Sequence, residues 1–318
     1  MGSQKQSGKA FEYAMLLAFQ KCLGQNNGII DESTATKVAS ADFETLAGER
    51  QQDNLQAGAA AAALILKFEP HLLLASQGKY VVNLALQSDQ KGATGDVRDL
   101  LLSIPERNWE IGISAKHQHE ALKHSRLSNQ IDFGHKWLGI PCSKDYFDAI
   151  GPVFHKLKQL KDQGLAWSQL PNKNTDVYIP ILLAFQKEVL SLDKQRPGTV
   201  ASGLVSYLIG HEDFYKVVKL KQQTKVQVFN FNGKLNLPAP NLQPDVRLDK
   251  LKLPSRVVEI DLRRGESEAS STTIDMICDA GWQLSFRLHN ASTRVEASLK
   301  FDINLVGRPN NLQTFTAV

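Results

Sequence analysis

The sequence predicts a mixed α/β fold with a layered core, and three observations support this class. Residues 95–102 and 109–116 set charged side chains against apolar ones at a period of two, which is typical of strands with one buried face. Residues 9–23 carry apolar side chains at helical spacing. After residue 210 the chain changes to short strand-like segments separated by proline-rich and polar stretches. Helices and strands therefore alternate first, and strands dominate later.

The individual elements follow from the same patterns. Residues 9–23 and 42–68 are expected to be mainly helical, residues 80–86 a strand or the end of a helix, and the turn-prone residues 104–108 should join strands 95–102 and 109–116 into an antiparallel pair. Helices are predicted after Lys116 and at residues 146–160 and 178–192. Strands are predicted at residues 215–220, 225–231, 256–262, 282–288 and 299–305. We expect two regions, 1–200 and 201–318, either as separate domains or with one shared core.

Composition limits the class of protein. The 318 residues are 42% hydrophobic and 22% charged, which is ordinary for a globular protein. The sequence shows neither an apolar run of about 20 residues nor a secretion signal, so we expect no membrane association and a cytoplasmic location. Three widely spaced cysteines, Cys22, Cys142 and Cys278, suit a reducing compartment. Acidic residues are in slight excess up to residue 150, and basic residues are in excess beyond it. A metal site in the first part and a surface that binds a polyanion in the second would produce this split.

The strand pair predicts a catalytic site. Glu110, Ser114 and Lys116 should share one face of the second strand, and Asp96 or Asp99 should reach that face near the lysine. Carboxylates beside one lysine suit a divalent-metal site for phosphodiester hydrolysis. The alternative is an amphipathic strand pair without any chemistry.

The segment that follows Lys116 is rich in groups that bind phosphate. We interpret it as a DNA-contacting stretch, with these candidate residues: His117, His119, Lys123, His124 and Arg126. One alternative is a zinc site built on the His117–His119 pair, completed by His124 and a carboxylate. Another is a solvated helix face.

Several long motifs together resemble those of the HaeIII-like family of type II restriction endonucleases. The motifs lie at residues 95–99, 110–117, 122–128, 213–217 and 281–292, and the resemblance runs from about residue 8 to residue 309. It implies a PD-(D/E)XK nuclease core and magnesium-dependent cleavage of double-stranded DNA at GGCC, giving blunt ends with 5′-phosphates. Together with the strand-rich pattern after residue 210, this leads us to expect a catalytic core with flanking helices at 1–200 and a mainly β DNA-recognition region at 201–318.

The chemistry of the site residues suggests their roles, and the sequence departs from the superfamily motif at one position. Asp96 is expected to be the first metal ligand, and Lys116 is expected to orient the attacking water and offset negative charge. The acid that normally lies two residues before the lysine is replaced by Ser114, which would instead hold a metal-bound water. Four carboxylates remain as candidates for the missing ligand, in this order of preference: Asp99, Glu110, Glu12 and Glu120.

The C-terminal region offers candidates for base recognition. Arg287, His289, Asn290 and Arg294 cluster in the sequence, and arginine is well suited to the guanine edge in the major groove. The alternative is that these side chains hold a corner of the β structure together.

The implied target also predicts partners. A palindromic site needs two catalytic units, most simply a two-fold homodimer. Host DNA would need protection by a cognate methyltransferase. Two other functions stay open on the sequence alone: a structure-selective repair or recombination nuclease, and a DNA-binding protein on a degenerate nuclease scaffold, which Ser114 suggests.

Overall fold

A computed structural model describes residues 4–88, 96–117, 121–221, 223–263 and 272–317, with only the backbone described for residues 4–5 and 121–124. The chain forms two compact units, each built from separated stretches. Unit 1 comprises Met1–Glu120, His211–Lys252 and Asn311–Val318, and unit 2 comprises Ala121–Gly210 and Leu253–Asn310. The roles expected for residues 1–200 and 201–318 stay a prediction.

Within the described residues, unit 1 packs four helices against a seven-stranded mixed sheet. Its helices are α1 (Gln4–Leu23), α2 (Thr34–Glu44), α3 (Gly48–Phe68) and α4 (Pro70–Ser76). Its strands are β1 (Gly28–Ile30), β2 (Val82–Leu86), β3 (Leu100–Ile104), β4 (Trp109–His117), β6 (Phe214–Lys219), β7 (Thr224–Phe229) and β12 (Thr314–Ala317), in the order β1-β2-β3-β4-β6-β7-β12.

Unit 2 covers a second sheet with further helices. Its described strands are β5 (Ala121–Leu127), β8 (Val257–Leu262), β9 (Thr273–Cys278), β10 (Gln283–His289) and β11 (Leu299–Leu305), in the order β5-β11-β10-β9-β8. Its helices are α5 (Phe133–Leu138), α6 (Lys144–Asp162), α7 (Ile179–Gln195) and α8 (Thr199–Ile209). Aromatic rings fill the core of the unit, and Phe185 contacts Phe133, Phe286 and Phe301 with ring centroids 4.9–5.4 Å apart.

The antiparallel pair predicted around the site is confirmed. β3 and β4 pair from Leu100 opposite Ile113 to Ile104 opposite Trp109. A short 3-10 turn, Pro105–Arg107, joins them, and Asn108 closes it with a φ of 47° that asparagine tolerates. The strand expected at residues 95–102 is shorter, because β3 begins only at Leu100. Asp96 to Asp99 thus form an irregular lead-in to the strand.

The first helix brings a polar side chain to this sheet. α1 buries Phe11, Met15 and neighbouring apolar residues in the core that contains Ile111 and Ile113 of β4. α3 comes close to α1 at Gly58, where a Cβ would lie 3.1 Å from the carbonyl oxygen of Ala14. Held between helix and sheet, α1 fixes the direction of Glu12, which follows Phe11.

The helix predicted after Lys116 is wrong. Residues 121–127 form strand β5, which pairs antiparallel with β11. The physical reason is pairing along the backbone combined with alternation of the side chains, since Ser125 and Leu127 are buried and Arg126 between them is exposed. Among the described residues no single helix is long and apolar enough to cross a membrane, and only the bent pair α3 and α4 would suffice in length and composition when taken together.

Candidate active site

The centre of the site is the carboxylate of Asp99, at the entrance to β3. One of its oxygens, Oδ2, accepts three hydrogen bonds from consecutive residues of β4: from Ser114 Oγ at 3.1 Å, from the Ala115 backbone N–H at 2.8 Å and from Lys116 Nζ at 3.0 Å. The backbone N–H of Asp99 donates to the Ile113 carbonyl at 2.8 Å, which continues the β3–β4 ladder. The carboxylate is therefore held firmly at one oxygen.

Glu12 of α1 is the second carboxylate of the site. Its side chain is buried, and Lys9 Nζ donates to its Oε2 at 2.8 Å. Burial and then the negative charge of Asp99 raise the pKa of Glu12 to about 7, while Lys9 and Lys116 act in the opposite direction. Glu12, Asp99 and Lys116 thus interact electrostatically, and Glu12 is balanced between its neutral and charged forms near neutral pH.

The two carboxylates leave oxygens for a further partner. Among the described residues, no hydrogen bond uses Oδ1 of Asp99 or Oε1 of Glu12. Two carboxylates close enough to raise a pKa repel one another, and a divalent cation relieves that repulsion. This donor set consists of hard oxygen ligands and fits a cation that keeps several waters. Within the described part of the chain, no group of three or more histidine, cysteine, aspartate or glutamate side chains could hold a metal ion.

Asp96 and Glu110, also predicted as metal ligands, both bind Arg98. Asp96 accepts from Arg98 Nε at Oδ1 and from Nη2 at Oδ2, both at 2.8 Å, and Gln87 Nε2 donates to the same Oδ2 at 3.0 Å. Glu110 Oε1 accepts from Arg98 Nη1 at 2.9 Å. Burial raises the pKa of Asp96, but the hydrogen bonds from Arg98 and Gln87 outweigh it, so the net pKa is lowered. Asp96 is therefore ionised and already paired.

The predicted polar face of β4 is present in the structure. Glu110 reaches Arg98, while Ser114 and Lys116 reach Asp99, so all three project to one side of the strand. Lys216 of β6 pairs with Ser114 in the parallel register of β4 and β6, and its side chain is buried. Sequence reasoning missed Lys216 as a member of this face, because only the sheet order makes β6 the neighbour of β4.

Of the histidines predicted next to the site, only His117 is fully described. Its ring lies edge-on to Phe11 at 6.4 Å between centroids. Burial, followed by the positive charge of Lys219, lowers its pKa, so the imidazole is neutral at pH 7. His119 lies outside the described residues, as do the side chains of Lys123 and His124. The DNA contacts proposed for these three, and the Glu120 alternative, concern parts outside the description.

The basic residues predicted for DNA contact in unit 2 fall into two groups. Arg126 binds Glu296 at 3.0 Å and Ser298 at 2.8 Å, and it borders an open groove of about 630 Å³ that is also lined by the exposed His155, Lys158 and Lys161. Arg287 and Arg294 are exposed.

The other two residues predicted to read bases have contacts within unit 2. His289 lies with Nε2 at 2.7 Å from Asp302, and Asn290 accepts from Tyr178 Oη at 3.1 Å. The Asn290 amide also donates to the Ser292 carbonyl at 2.6 Å. These contacts favour a structural role for Asn290 at the end of β10.

Comparison with known proteins identifies the chemistry. The family model of the HaeIII restriction endonuclease matches residues 8–309. The chain belongs to this family. It is 39% identical over 306 residues, covering 95% of this chain and 94% of the relative, to the type II restriction enzyme HaeIII of Haemophilus aegyptius. No solved structure matches the chain. The protein is therefore a type II site-specific deoxyribonuclease, a phosphodiester hydrolase that binds DNA, and its mixed α/β architecture confirms the fold class predicted from the sequence.

Restriction endonucleases of this type generally use a divalent metal ion. In this endonuclease, Asp99 and Glu12 each keep one oxygen without a hydrogen bond among the described residues, whereas both oxygens of Asp96 accept from Arg98. Arg98 was missed by the sequence reasoning. The short spacing was the available signal, since an arginine two residues after an aspartate can reach its carboxylate.

Proposed function

We propose that the enzyme cleaves double-stranded DNA at GGCC with Mg²⁺, leaving blunt ends with 5′-phosphates. The GGCC target and the cut position rest on the family resemblance. The observation that supports the chemistry is the pairing of Asp99 with Lys116, with Glu12 as a second carboxylate. The acid missing at Ser114 is supplied in this proposal by Glu12 from α1.

Asp99 and Glu12 would hold the magnesium ion through the oxygens that no hydrogen bond occupies. A bound magnesium ion supplies charge stabilisation at the attacking and leaving oxygens of a phosphodiester. Asp96 and Glu110 stay predictions as ligands, but both carboxylates bind Arg98. This assignment makes the Asp99 and Glu12 side chains the first to test.

Lys116 would stabilise charge on the scissile phosphate and orient the attacking water. Its ammonium lies at the end of β4, about one-third exposed at 29%, so a phosphate oxygen can approach it. A positive charge there stabilises the negative charge that develops on the phosphate and orients a water for in-line attack. The hydrogen bond to Asp99 fixes the direction of the flexible lysine side chain.

Ser114 would help to orient the carboxylate of Asp99 and would not itself be a metal ligand. Its hydroxyl donates to Oδ2, the oxygen that also accepts from Ala115 N–H and Lys116. With three donors on Oδ2, Oδ1 is the Asp99 oxygen that is left for a metal ion. The serine thus supports a catalytic site, which argues against the degenerate scaffold that its presence first suggested.

Unit 2 would supply part of the DNA-binding surface. We assign the backbone phosphates to Arg126 and the neighbouring Lys158 and Lys161, and the guanine edges to Arg287 and Arg294. Because the target is palindromic, two copies of the chain would act as a two-fold homodimer. A cognate methyltransferase would protect host DNA in the cytoplasm.

One experiment tests the activity and the target together. Unmethylated plasmid with known GGCC sites is incubated with the protein, with MgCl₂ and with EDTA. We expect discrete blunt fragments that map to GGCC in the presence of magnesium only. Fragments that map elsewhere would contradict the GGCC target, a random smear would favour a repair nuclease, and uncut but retained plasmid would indicate a binding protein. Sedimentation with and without a GGCC duplex measures the expected dimer.

A further inference from the structure

Arg98 lies beside the candidate site and binds two carboxylates there. Its guanidinium donates through Nε and Nη2 to Asp96 and through Nη1 to Glu110, so three different nitrogen atoms bind carboxylates. Asp96 precedes it by two residues in the lead-in to β3, whereas Glu110 lies on β4. The arginine therefore bridges the lead-in segment to the neighbouring strand.

We propose that Arg98 is a positioning residue, clamped between Asp96 and Glu110 across Gly112, that fixes the backbone carrying Asp99. This inference rests on the proposed function, because it assigns Arg98 to the same metal-binding carboxylate. It requires that the Arg98 contacts restrain the segment immediately before Asp99. It also requires that Arg98 act through this segment and not through the DNA.

The contacts of the lead-in segment meet the first requirement. Arg98 donates its own backbone N–H to Asp96 Oδ1 at 3.1 Å. Gln87, at the end of β2, donates its side-chain amide to the Arg98 carbonyl at 3.1 Å and its backbone N–H to the Asp99 carbonyl at 2.9 Å. The segment is thus tied to β2 by Gln87 and to β4 by Glu110. Asp99 follows directly, with its direction fixed by its neighbours.

Gly112 shows that β4 leaves room for this clamp. A Cβ at this position would lie 1.9 Å from Cδ and 2.5 Å from Cγ of Arg98. Any residue with a side chain would have to displace the arginine stem, because real Cβ atoms do not approach other atoms so closely. The glycine therefore lets Arg98 lie flat on β4 between Glu110 and Ser114.

The second requirement follows from the charges and the exposure. The Arg98 side chain is only 12% exposed, and its single positive charge faces two carboxylates. A group that binds DNA phosphate directly would have to exchange these partners for the phosphate. Removing the arginine leaves two neighbouring carboxylates without their shared partner, which repel one another and loosen the segment. The expected consequence is a misplaced Asp99.

The test compares the magnesium requirement of cleavage with DNA binding. Arg98→Ala removes the clamp, Gly112→Ala displaces it without changing charge, and Arg98→Lys keeps the charge but not the two-pronged bonding. Arg263→Ala is the matched control, because Arg263 binds Asp275 in the same two-pronged way in unit 2, with Nε at 2.7 Å and Nη2 at 2.5 Å. Single-turnover cleavage is measured against MgCl₂ concentration, and DNA affinity is measured by fluorescence anisotropy in CaCl₂.

We expect Arg98→Ala and Gly112→Ala to raise the half-maximal MgCl₂ concentration about tenfold. Their saturated rate should fall by about 10²-fold, the cost of misplacing a catalytic group by about 1 Å. The dissociation constant for DNA should stay within about threefold of wild type, since Arg98 touches no DNA in this proposal. Arg98→Lys should lie between wild type and Arg98→Ala, and Arg263→Ala should match wild type in its magnesium requirement.

Several results would overturn the inference. A normal magnesium requirement in Arg98→Ala would show that Asp99 needs no clamp, and weakened DNA binding with a normal requirement would make Arg98 a DNA contact. If Arg98→Ala does not fold by circular dichroism, Glu110→Gln removes one contact only and should raise the requirement by about threefold, the effect of one weakened hydrogen bond. Wild-type cleavage in the same assay distinguishes a failure of the proposed function from a failure of the Arg98 inference. Its absence would reject the proposed function and this inference with it, whereas its presence with an unchanged Arg98→Ala rejects the inference alone.

Discussion

The Nζ atom of Lys116, on β4, lies 3.0 Å from Oδ2 of Asp99, which directly precedes the adjacent strand β3. Three residues of β4 in succession share this acceptor, so the pair is a fixed feature of the strand register and not a chance contact of two long side chains. A one-residue slip of β4 would send Lys116 to the opposite face of the sheet. The sheet register therefore determines the pairing of Lys116 with Asp99.

Replacing Lys116 by alanine should abolish most of the cleavage and leave the fold intact. Removing one preorganised charge from a phosphoryl-transfer site costs about 10²–10³-fold in rate. We expect a loss of this size in single-turnover cleavage of a GGCC duplex at saturating MgCl₂. Lys144→Ala is the control, since Lys144 is an exposed lysine paired with Asp148 in unit 2. Equal rates for wild type and Lys116→Ala would remove Lys116 from the mechanism.

Ser114→Ala should have a much smaller effect than Lys116→Ala. The substitution deletes one of three hydrogen bonds to Oδ2 of Asp99, and the Ala115 N–H and Lys116 still hold that oxygen. The net contribution of one such bond is about 1 kcal/mol, which corresponds to roughly fivefold in rate. A loss as large as that of Lys116→Ala in the same cleavage assay would instead mean that the hydroxyl itself takes part in the chemistry.

Much of the fold was predictable because the relevant signals are local. Helical spacing placed α1, alternation placed β4 and β10, and turn-prone residues placed the β3–β4 hairpin. Trp109, Trp282 and Phe286 of these strands and their flanks are buried. Strand β5 was missed because its pairing partner, β11, lies about 170 residues further along the chain. Only the tertiary pairing makes residues 121–127 a strand.

The candidate site was predictable only in part, for a similar reason. The pairing of Lys116 with Asp99 follows from two neighbouring strands, and alternation was enough to suggest it. The partnership of Asp96 with Arg98 is not predictable from alternation, because both residues lie in an irregular segment before β3. The approach of Glu12 depends on how α1 packs on the sheet, which no spacing within α1 determines.

The magnesium requirement should depend on pH through Glu12. Burial and the charge of Asp99 raise the pKa of Glu12 to about 7, so below that pH the carboxylate is protonated and competes poorly for a cation. We expect the half-maximal MgCl₂ concentration to fall as the pH rises from 6 to 8. Glu12→Gln should need more magnesium at every pH and lose this dependence. A dependence on pH that persists unchanged in Glu12→Gln would assign the titration to another group.

Arg287 is the first residue to test for base recognition. Its side chain is exposed on β10, whereas Asn290 at the end of that strand is held by Tyr178. If Arg287 reads a guanine, Arg287→Ala should lower the preference for GGCC over a singly mismatched site by about 10–100-fold, the value of one two-pronged base contact. Asn290→Ala should instead lower the thermal midpoint. Competition cleavage of matched and mismatched duplexes gives the ratio, and an unchanged ratio would exclude Arg287 from base reading.

The stability of the protein should decrease as the pH rises from 5 to 8, in part because of Glu69. This residue is fully buried in unit 1, and its Oε1 accepts from Tyr215 Oη at 2.5 Å and from the Asn236 N–H at 2.8 Å. Burial raises its pKa from 4.5 to about 8, and the two hydrogen bonds lower it again only in part. The folded state therefore holds a proton that the unfolded chain releases above pH 4.5. The resulting stabilisation is complete below pH 4.5 and is lost as the pH rises through 8.

Glu69→Gln isolates this contribution, because glutamine does not ionise. Glu12, whose pKa is also raised, is present in both proteins, so its effect cancels when the two are compared. The free energy of unfolding of wild type minus that of Glu69→Gln should decrease by an amount on the order of 4 kcal/mol between pH 4.5 and pH 8. Urea unfolding followed by tryptophan fluorescence at several pH values measures the difference. Glu106→Gln, at an exposed glutamate in the β3–β4 turn, is the control for the substitution itself. A constant difference for Glu69→Gln would mean that Glu69 is ionised in the folded protein throughout this range, with Tyr215 and Asn236 compensating its burial.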